Sequence, residues 1–272
     1  MSTKKIGFVD LYISEWHANN YPAWIKDATE KLALPYEVAY AYAMQDVSPV
    51  DGRTTDEWCA AFGVKKCESI DELCEKSDAI IILAPSNPEV HLELAKAVLK
   101  HKKTTYIDKT FAPDYKTAKE IYAIGEQYGT PFFSSSALRY ATELEGLPGA
   151  KSLAITGGGS NLPEYIIHQA EMLIKLTGCA PDKVSAARDG EKYVISAHFP
   201  NGVDATMTYG AQLTYSAAAD GGEAIQMKSP YFNALIADVL RFFLTGEPSF
   251  PREETIAVAQ LREEAIRCAM AL

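Results

Sequence analysis

Glu164 and His168 stand four residues apart in a segment, Leu162 to Thr177, whose apolar spacing predicts a helix. Residues at that spacing share one helical face. An imidazole has an ordinary pKa of about 6.5 and can take and return a proton at neutral pH. A carboxylate one turn earlier can hold the ring or a ligand hydroxyl. Lys109 closes the apolar run Thr105-Tyr-Ile-Asp-Lys109, which reads as a buried strand. An ammonium there can hydrogen-bond a ligand. Each group also has a plainer reading: a solvated lysine, and a histidine packed on an amphipathic helix. Glu171 lies further along the same helix as a possible ligand contact or a solvated charge, and Arg139 and Tyr140 follow a later strand.

These residues need elements to hold them. Five apolar runs alternate with helical patterns in the first half: Lys5–Asp10, Tyr36–Ala43, Asp78–Ala84, Thr104–Asp108 and Pro131–Ser136. Alternation of this kind predicts a parallel, doubly wound sheet with helices on both faces. Ligands of such sheets bind at the carboxyl ends of the strands. Ser69-Ile-Asp-Glu72 has the spacing of a capping box, and Asn87-Pro88 reads as a helix cap followed by a first-turn proline. After about Tyr140 the pattern changes, with a hinge expected at Glu145–Gly149. Strands are expected over Lys151–Thr156, Lys192–Phe199, Val203–Gly210, Ala211–Ala219 and Glu223–Lys228, with helices at Pro230–Leu244 and Arg252–Met270. The second and third of these strands are joined by Pro200-Asn-Gly202, a hairpin signal. The expected architecture is α/β, with a unit over residues 1–140 and an α+β unit with a shortened antiparallel sheet over 141–272.

The chain has 272 residues, a net charge of -10 and 47% hydrophobic residues. That acidity argues against a nucleic-acid surface, which needs clustered basic groups. No apolar run reaches the roughly 20 residues that span a bilayer. The five cysteines are odd in number and contain no C-x-x-C pair, which argues against a disulfide scaffold or a zinc site and for a reducing cytoplasm. No metal site is expected.

Four stretches together resemble the glucose–fructose oxidoreductase / inositol dehydrogenase (Gfo/Idh/MocA) family. Asp78–His91 is similar to its third Rossmann strand and the turn after it. Asp108-Lys109-Thr110 is similar to its Glu-Lys-Pro motif. Glu164–Glu171 is similar to its Asp-x-Gly-x-His-x-x-Asp helix, and Phe243–Pro248 to its C-terminal signature. The resemblance implies an N-terminal Rossmann domain and an NAD(P)-dependent oxidoreductase acting on a sugar, cyclitol or related polyol. It implies Lys109, Glu164 and His168 as the groups that handle the substrate proton, with Arg139, Tyr140 and Glu171 as substrate contacts. The cofactor, NAD or NADP, would lie over Asp10, Leu11, Tyr12, Ser14, Pro85, Asn87 and His91. A homo-oligomer through the C-terminal sheet is also implied.

The first turn departs from that pattern. A Rossmann turn uses glycines to turn tightly and to let backbone approach the pyrophosphate. Here the turn reads Asp10-Leu-Tyr-Ile-Ser14, with side chains where glycines belong. A carboxylate about 5 Å from a phosphate charge repels it by roughly 3 kcal/mol at an effective dielectric of 20. No acidic residue for the adenosine ribose ends the second strand at Tyr40–Met44. Two readings follow. The turn binds a nicotinamide nucleotide in altered fashion, using Ser14 and a helix N-terminus. Or the chain has lost the dinucleotide and works as a small-molecule binding protein or a non-redox enzyme, with Tyr12, Trp16 or Tyr42 plugging the crevice.

Overall fold

A computed structural model describes residues 3–272, which form two compact units. The first unit holds residues up to Ala112 together with Lys116–Ser134 and Leu235–Ser249, and the second holds Pro113–Tyr115, Ser135–Ala234 and Phe250–Leu272.

The elements of the first half are β1 (Lys4–Asp10), α1 (Trp16–Leu32), β2 (Tyr36–Ala43), α2 (Thr55–Phe62), β3 (Lys65–Lys66), α3 (Ile70–Lys76), β4 (Ala79–Ile82), α4 (His91–Leu99), β5 (Thr104–Ile107), α5 (Tyr115–Tyr128) and β6 (Phe132–Ser134). The strands form one parallel sheet in the order β3-β2-β1-β4-β5-β6. This is the Rossmann order, and the strand order reverses between β1 and β4, where such folds bind ligands. Every residue of β4 is buried, as expected of a strand covered on both faces. Gly7 of β1 is required by packing: a Cβ there would meet Leu73 Cδ2 at 2.4 Å. Among the strands of this sheet, the two-residue β3 went unread in the sequence, being too short to show a period.

Two expected caps differ. Ser69 Oγ accepts from the Glu72 N–H, but the Glu72 carboxylate accepts from Glu68 rather than Ser69, so the box is half formed. The complete box is at Thr54 and Glu57. Asn87 makes no side-chain cap; a short 3-10 turn at Pro88–Val90 leads into α4 instead. Its amide is engaged elsewhere, donating to Glu89 Oε1 at 2.9 Å and accepting from the Tyr12 hydroxyl at 3.3 Å.

The second half comprises β7 (Ser152–Gly157), α6 (Leu162–Thr177), β8 (Lys183–Asp189), β9 (Lys192–His198), β10 (Asp204–Tyr209), β11 (Ser216–Ala219), β12 (Ile225–Gln226), α7 (Tyr231–Thr245) and α8 (Arg252–Met270). The sheet of the second unit runs β12-β11-β7-β10-β9-β8. It is mixed rather than antiparallel, because β7 and β10 pair in parallel. β8 was missed by the sequence reading because small residues blunt its alternation. The Asp189-Gly190 pair that links it to β9 is itself a hairpin signal, and Gly190 takes φ 59°.

Alternation sets the core of this unit. Leu153 and Ile155 of β7, Ile195 of β9 and Met207 of β10 cluster with Ile166, Ala170 and Leu173 of α6 and Leu261 of α8. Each Leu, Ile or Met side chain of this set stabilises by about 1.5–3 kcal/mol on full burial. The core thereby fixes the rotation of α6 about its axis. All five cysteines are unpaired. Among the described residues no helix is long and apolar enough to cross a membrane.

Candidate functional site

The first unit gathers polar side chains at the carboxyl ends of β1, β4 and β5. Asp108 follows β5 and is fully buried. Its carboxylate pairs with His17 Nδ1 and accepts from the Tyr21 hydroxyl at 3.1 Å, the Tyr106 hydroxyl at 3.2 Å and the Lys109 N–H at 2.8 Å. Burial pushes its pKa up, but the His17 charge and hydrogen bond, with Lys109, outweigh this and leave it below the usual carboxylate range. His17 stacks on the Tyr21 ring at 5.1 Å. His17, which opens α1, thus has a specific polar partner as well as a packing one. The spacing that could have revealed it, an acid after β5 and a histidine opening α1, lies 91 residues apart.

Lys109 is 8% exposed, its ammonium 3.5 Å from the Pro85 carbonyl, and the Lys109–Thr110 peptide is cis. Pro85 also accepts from the Thr110 N–H at 3.3 Å. The structure therefore brings Lys109 and Pro85 together. His91 lies apart from them in function: it is wholly buried, with Nδ1 3.0 Å from the Phe111 carbonyl and Nε2 2.6 Å from the Leu83 carbonyl. Burial holds its pKa below the ordinary value, and the ring ties two backbone segments together.

The β1–α1 turn carries the remaining cofactor candidates. Asp10 Oδ1 accepts from the Leu11 N–H at 2.7 Å, while Oδ2 is buried and has no hydrogen-bond partner. Burial, then the charge of Glu15, raises the Asp10 pKa well above the ordinary value. Ser14 is buried and donates its hydroxyl to Asp51 at 2.8 Å. The carbonyl of Ser14 accepts from the Ser48 hydroxyl at 2.6 Å. The carboxylate of Glu15 caps α1, accepting from the N–H groups of His17 and Ala18. Trp16, named as a plug, is 54% exposed. These residues do not fit a pyrophosphate. The helix N–H groups that would hold an anion already hold one, the serine is occupied, and an acid stands at the first glycine position.

In the second unit, α6 begins at Asn161, whose side chain caps the Glu164 N–H at 2.9 Å and donates to the Glu164 carboxylate at 3.1 Å. His168, one turn on, is half-buried, with Nδ1 2.6 Å from Ser136 Oγ. The Tyr215 ring meets it edge-on at 5.5 Å and the Tyr165 ring lies at 5.9 Å. The glycine run before α6 makes room for these rings: a Cβ on Gly157 would strike Tyr215, and one on Gly159 would strike Tyr165. The Tyr215 hydroxyl donates to the Gly158 carbonyl at 2.8 Å. In the tautomer that donates Nδ1–H to Ser136, the Nε2 atom presents a lone pair, the form a general base needs.

Arg139 and Glu171 meet each other. Arg139 Nη1 lies 3.2 Å from Glu171 Oε2, its other amino group pairs with Glu254, and its guanidinium lies 3.7 Å from the Phe250 ring centre. Both residues are at least nine-tenths buried. The second acid of α6 therefore anchors a buried ion-pair network. Tyr140, beside them, is half-buried. Among the described residues no cluster of His, Cys, Asp or Glu is placed to hold a metal ion.

The sheet order defines a Rossmann fold in the first unit, and the second unit carries a mixed sheet. Residues 36–135 match the model of the Gfo/Idh/MocA oxidoreductase family, described as an NAD-binding Rossmann fold, so the family resemblance is borne out. The match begins after β1 and its glycine-free turn. A search of curated protein sequences finds no match. Among solved structures, UDP-N-acetylglucosamine 3-dehydrogenase from Acidithiobacillus ferrooxidans is similar with TM-score 0.73 and 15% identity, covering 100% of this chain and 98% of that one. A biliverdin reductase from a Synechocystis species, in complex with biliverdin and NADP+, gives TM-score 0.69 and 16% identity over 98% of both chains. An NAD-binding protein from Listeria innocua gives 0.71 and 17%, covering 99% and 96%. At these identities the likeness is one of fold.

Proposed function

We propose that the chain acts on a sugar, cyclitol or related polyol, with His168 as the proton-accepting group and Glu164 as a substrate contact. One observation carries the reading. In a helix whose apolar side is sealed in the core, the His168 ring stays half-buried, oriented by Ser136 and walled by two tyrosines. Aromatic walls suit the C–H faces of a sugar ring, and an imidazole suits its hydroxyls. Lys109 ends a parallel strand of the first unit, in the place that the resemblance gives to the family's lysine. Family chemistry would pass a hydride to NAD or NADP. Because the β1–α1 turn does not fit a pyrophosphate, the proposed chemistry stops at small-molecule binding and proton transfer.

A second reading, full NAD(P)-dependent oxidation, is favoured by the family match over residues 36–135 and by the retained Asp108-Lys109 pair. It requires dinucleotide binding in an altered pose. Five unpaired cysteines suit a reducing compartment such as the cytoplasm. A homo-oligomer through the second unit's sheet belongs to the same proposal.

A melting screen against free hexoses and inositols tests the first reading. A ligand at a hundred times its Kd adds about 2.7 kcal/mol to stability. At least one sugar or cyclitol is expected to raise Tm, and both His168→Asn and Glu164→Ala are expected to abolish that rise. No response to any of them, or variants that respond as the parent does, would overturn it.

A further inference from the structure

We propose that the dinucleotide place of the first unit is closed by the protein itself, the Glu15 carboxylate serving as the anion at the α1 N-terminus that a pyrophosphate supplies in a Rossmann fold. The proposal goes beyond the polyol reading and does not depend on it, since it concerns only the turn after β1.

Four independent features meet there. The first is the cap. Glu15 has extended backbone, φ −138° and ψ 172°, and its carboxylate accepts from the first N–H groups of a 17-residue helix. Those N–H groups form the anion site of a helix N-terminus, and they have an internal partner. The second is burial. Ile13, Ser14 and Glu15 are 1%, 0% and 6% exposed, whereas a phosphate needs backbone it can touch.

The third is the chain laid against the turn. The segment after β2 bonds to it along its length: Met44 N donates to the Asp10 carbonyl at 3.0 Å, Gln45 N to the Leu11 carbonyl at 2.7 Å, and Ser48 to the Ser14 carbonyl. Asp51 completes the tie through the Ser14 hydroxyl and is itself held by Arg53 at 2.7 Å. The strand end that normally offers an acid to the adenosine ribose instead feeds a strap over the turn. The fourth is charge. Asp10, Glu15 and Asp108 interact with one another in the interior, and Asp10 Oδ2 has no donor. His17, Lys109 and His91 are cationic or potentially cationic groups that bear on these acids. A further dianion would enter a site already rich in carboxyl groups.

Isothermal calorimetry and melting of the full chain test this, with NAD+, NADH, NADP+, NADPH and inorganic pyrophosphate as separate probes at millimolar concentration. The expected result is no heat and no change in Tm with any of them. A dinucleotide at a hundred times its Kd would instead raise Tm by about 5–10 °C. Two variants test the seat of Glu15. Glu15→Ala is expected to lower Tm by about 2–4 °C, the loss of a helix cap in a chain of this size. Glu15→Gln, whose amide oxygen can accept the same bonds, is expected to lose less. Binding of any dinucleotide by the parent protein, or an unchanged Tm in Glu15→Ala, would overturn the proposal. The sugar and cyclitol screen reads the second unit's histidine separately, so either idea can fail alone.

Discussion

The turn after β1 and the face of α6 that carries His168 are the two places where the family resemblance puts ligands, and they are built in opposite ways. In the turn, Ser14 and the helix N–H groups already have partners inside the first unit. On α6, the imidazole is positioned by a serine and two tyrosine rings, yet stays half-buried. Three residues further along α6, Glu171 repeats the pattern of the turn, a buried acid tied to Arg139. A polar residue at a ligand-binding position is therefore not by itself a ligand contact. At the turn and at Glu171, folding has already supplied the partner that a ligand would supply.

The largest effect should come from the most self-contained group. Arg139→Ala would leave Glu171 and Glu254 without their guanidinium. Burial already pushes the Glu171 pKa up, with Arg139 opposing it. A loss of about 3–5 kcal/mol in urea unfolding is expected, as for breaking a buried ion pair. If the loss were no greater than that of a surface substitution, the network would be incidental and Glu171 would return as a candidate contact.

Next comes Glu143, whose carboxylate accepts from the Lys228 and Ser229 N–H groups at 2.8 and 2.7 Å and from the Ser229 hydroxyl at 2.6 Å. Partial burial works against the charge, but these bonds win and lower its pKa from 4.5 to about 2. A depressed carboxyl adds stability above its unfolded pKa and loses it as pH falls through the folded value. Glu143→Gln should therefore be less stable by about 1–3 kcal/mol near neutrality. Parent and variant stabilities should converge as pH falls from 4.5 toward about 2. A constant gap across that range would show that charge is not what Ser229 and Lys228 hold.

The smallest effect, and the one that bears most on the turn, is at Asp10. Its raised pKa has the opposite sign: the contribution is favourable below the ordinary value of 3.8 and lost as pH rises through the folded value. Asp10→Asn removes that dependence. It should gain about 1–2 kcal/mol over the parent near neutral pH and lose the advantage in acid. Denaturant melts across pH would show it. A variant less stable than the parent at neutrality would mean that the Asp10 charge has a partner, and the argument for a crowded acidic turn would weaken.

Much of the fold was legible in the sequence because it rests on local periodicity. The parallel strands, the extent of α6 and of α8, and the hairpin at Asn201-Gly202 follow from apolar spacing and turn residues. Two strands escaped, β3 for its length and β8 for its small side chains. The parallel pairing of β7 with β10 escaped as well, since strand direction within a mixed sheet depends on how the chain returns. The site divides in the same way. Glu164, His168 and Lys109 could be singled out by type and position. The pairing of His17 with Asp108 and of Arg139 with Glu171 and Glu254 joins residues too far apart in sequence for any local pattern to reveal.

The sequence by itself determined that the turn after β1 has no glycines and that an imidazole and a carboxylate share a face of α6. Both are consequences of residue type at a fixed spacing along one element. Tertiary structure alone decided which polar groups already have partners. It gave Glu15 to the helix N-terminus, Ser14 to Asp51, Glu171 to Arg139 and His168 to Ser136, with two tyrosine rings beside the half-buried imidazole. The physical reason is that a donor's availability depends on what folding brings within hydrogen-bonding reach, and that neighbour is usually remote in sequence.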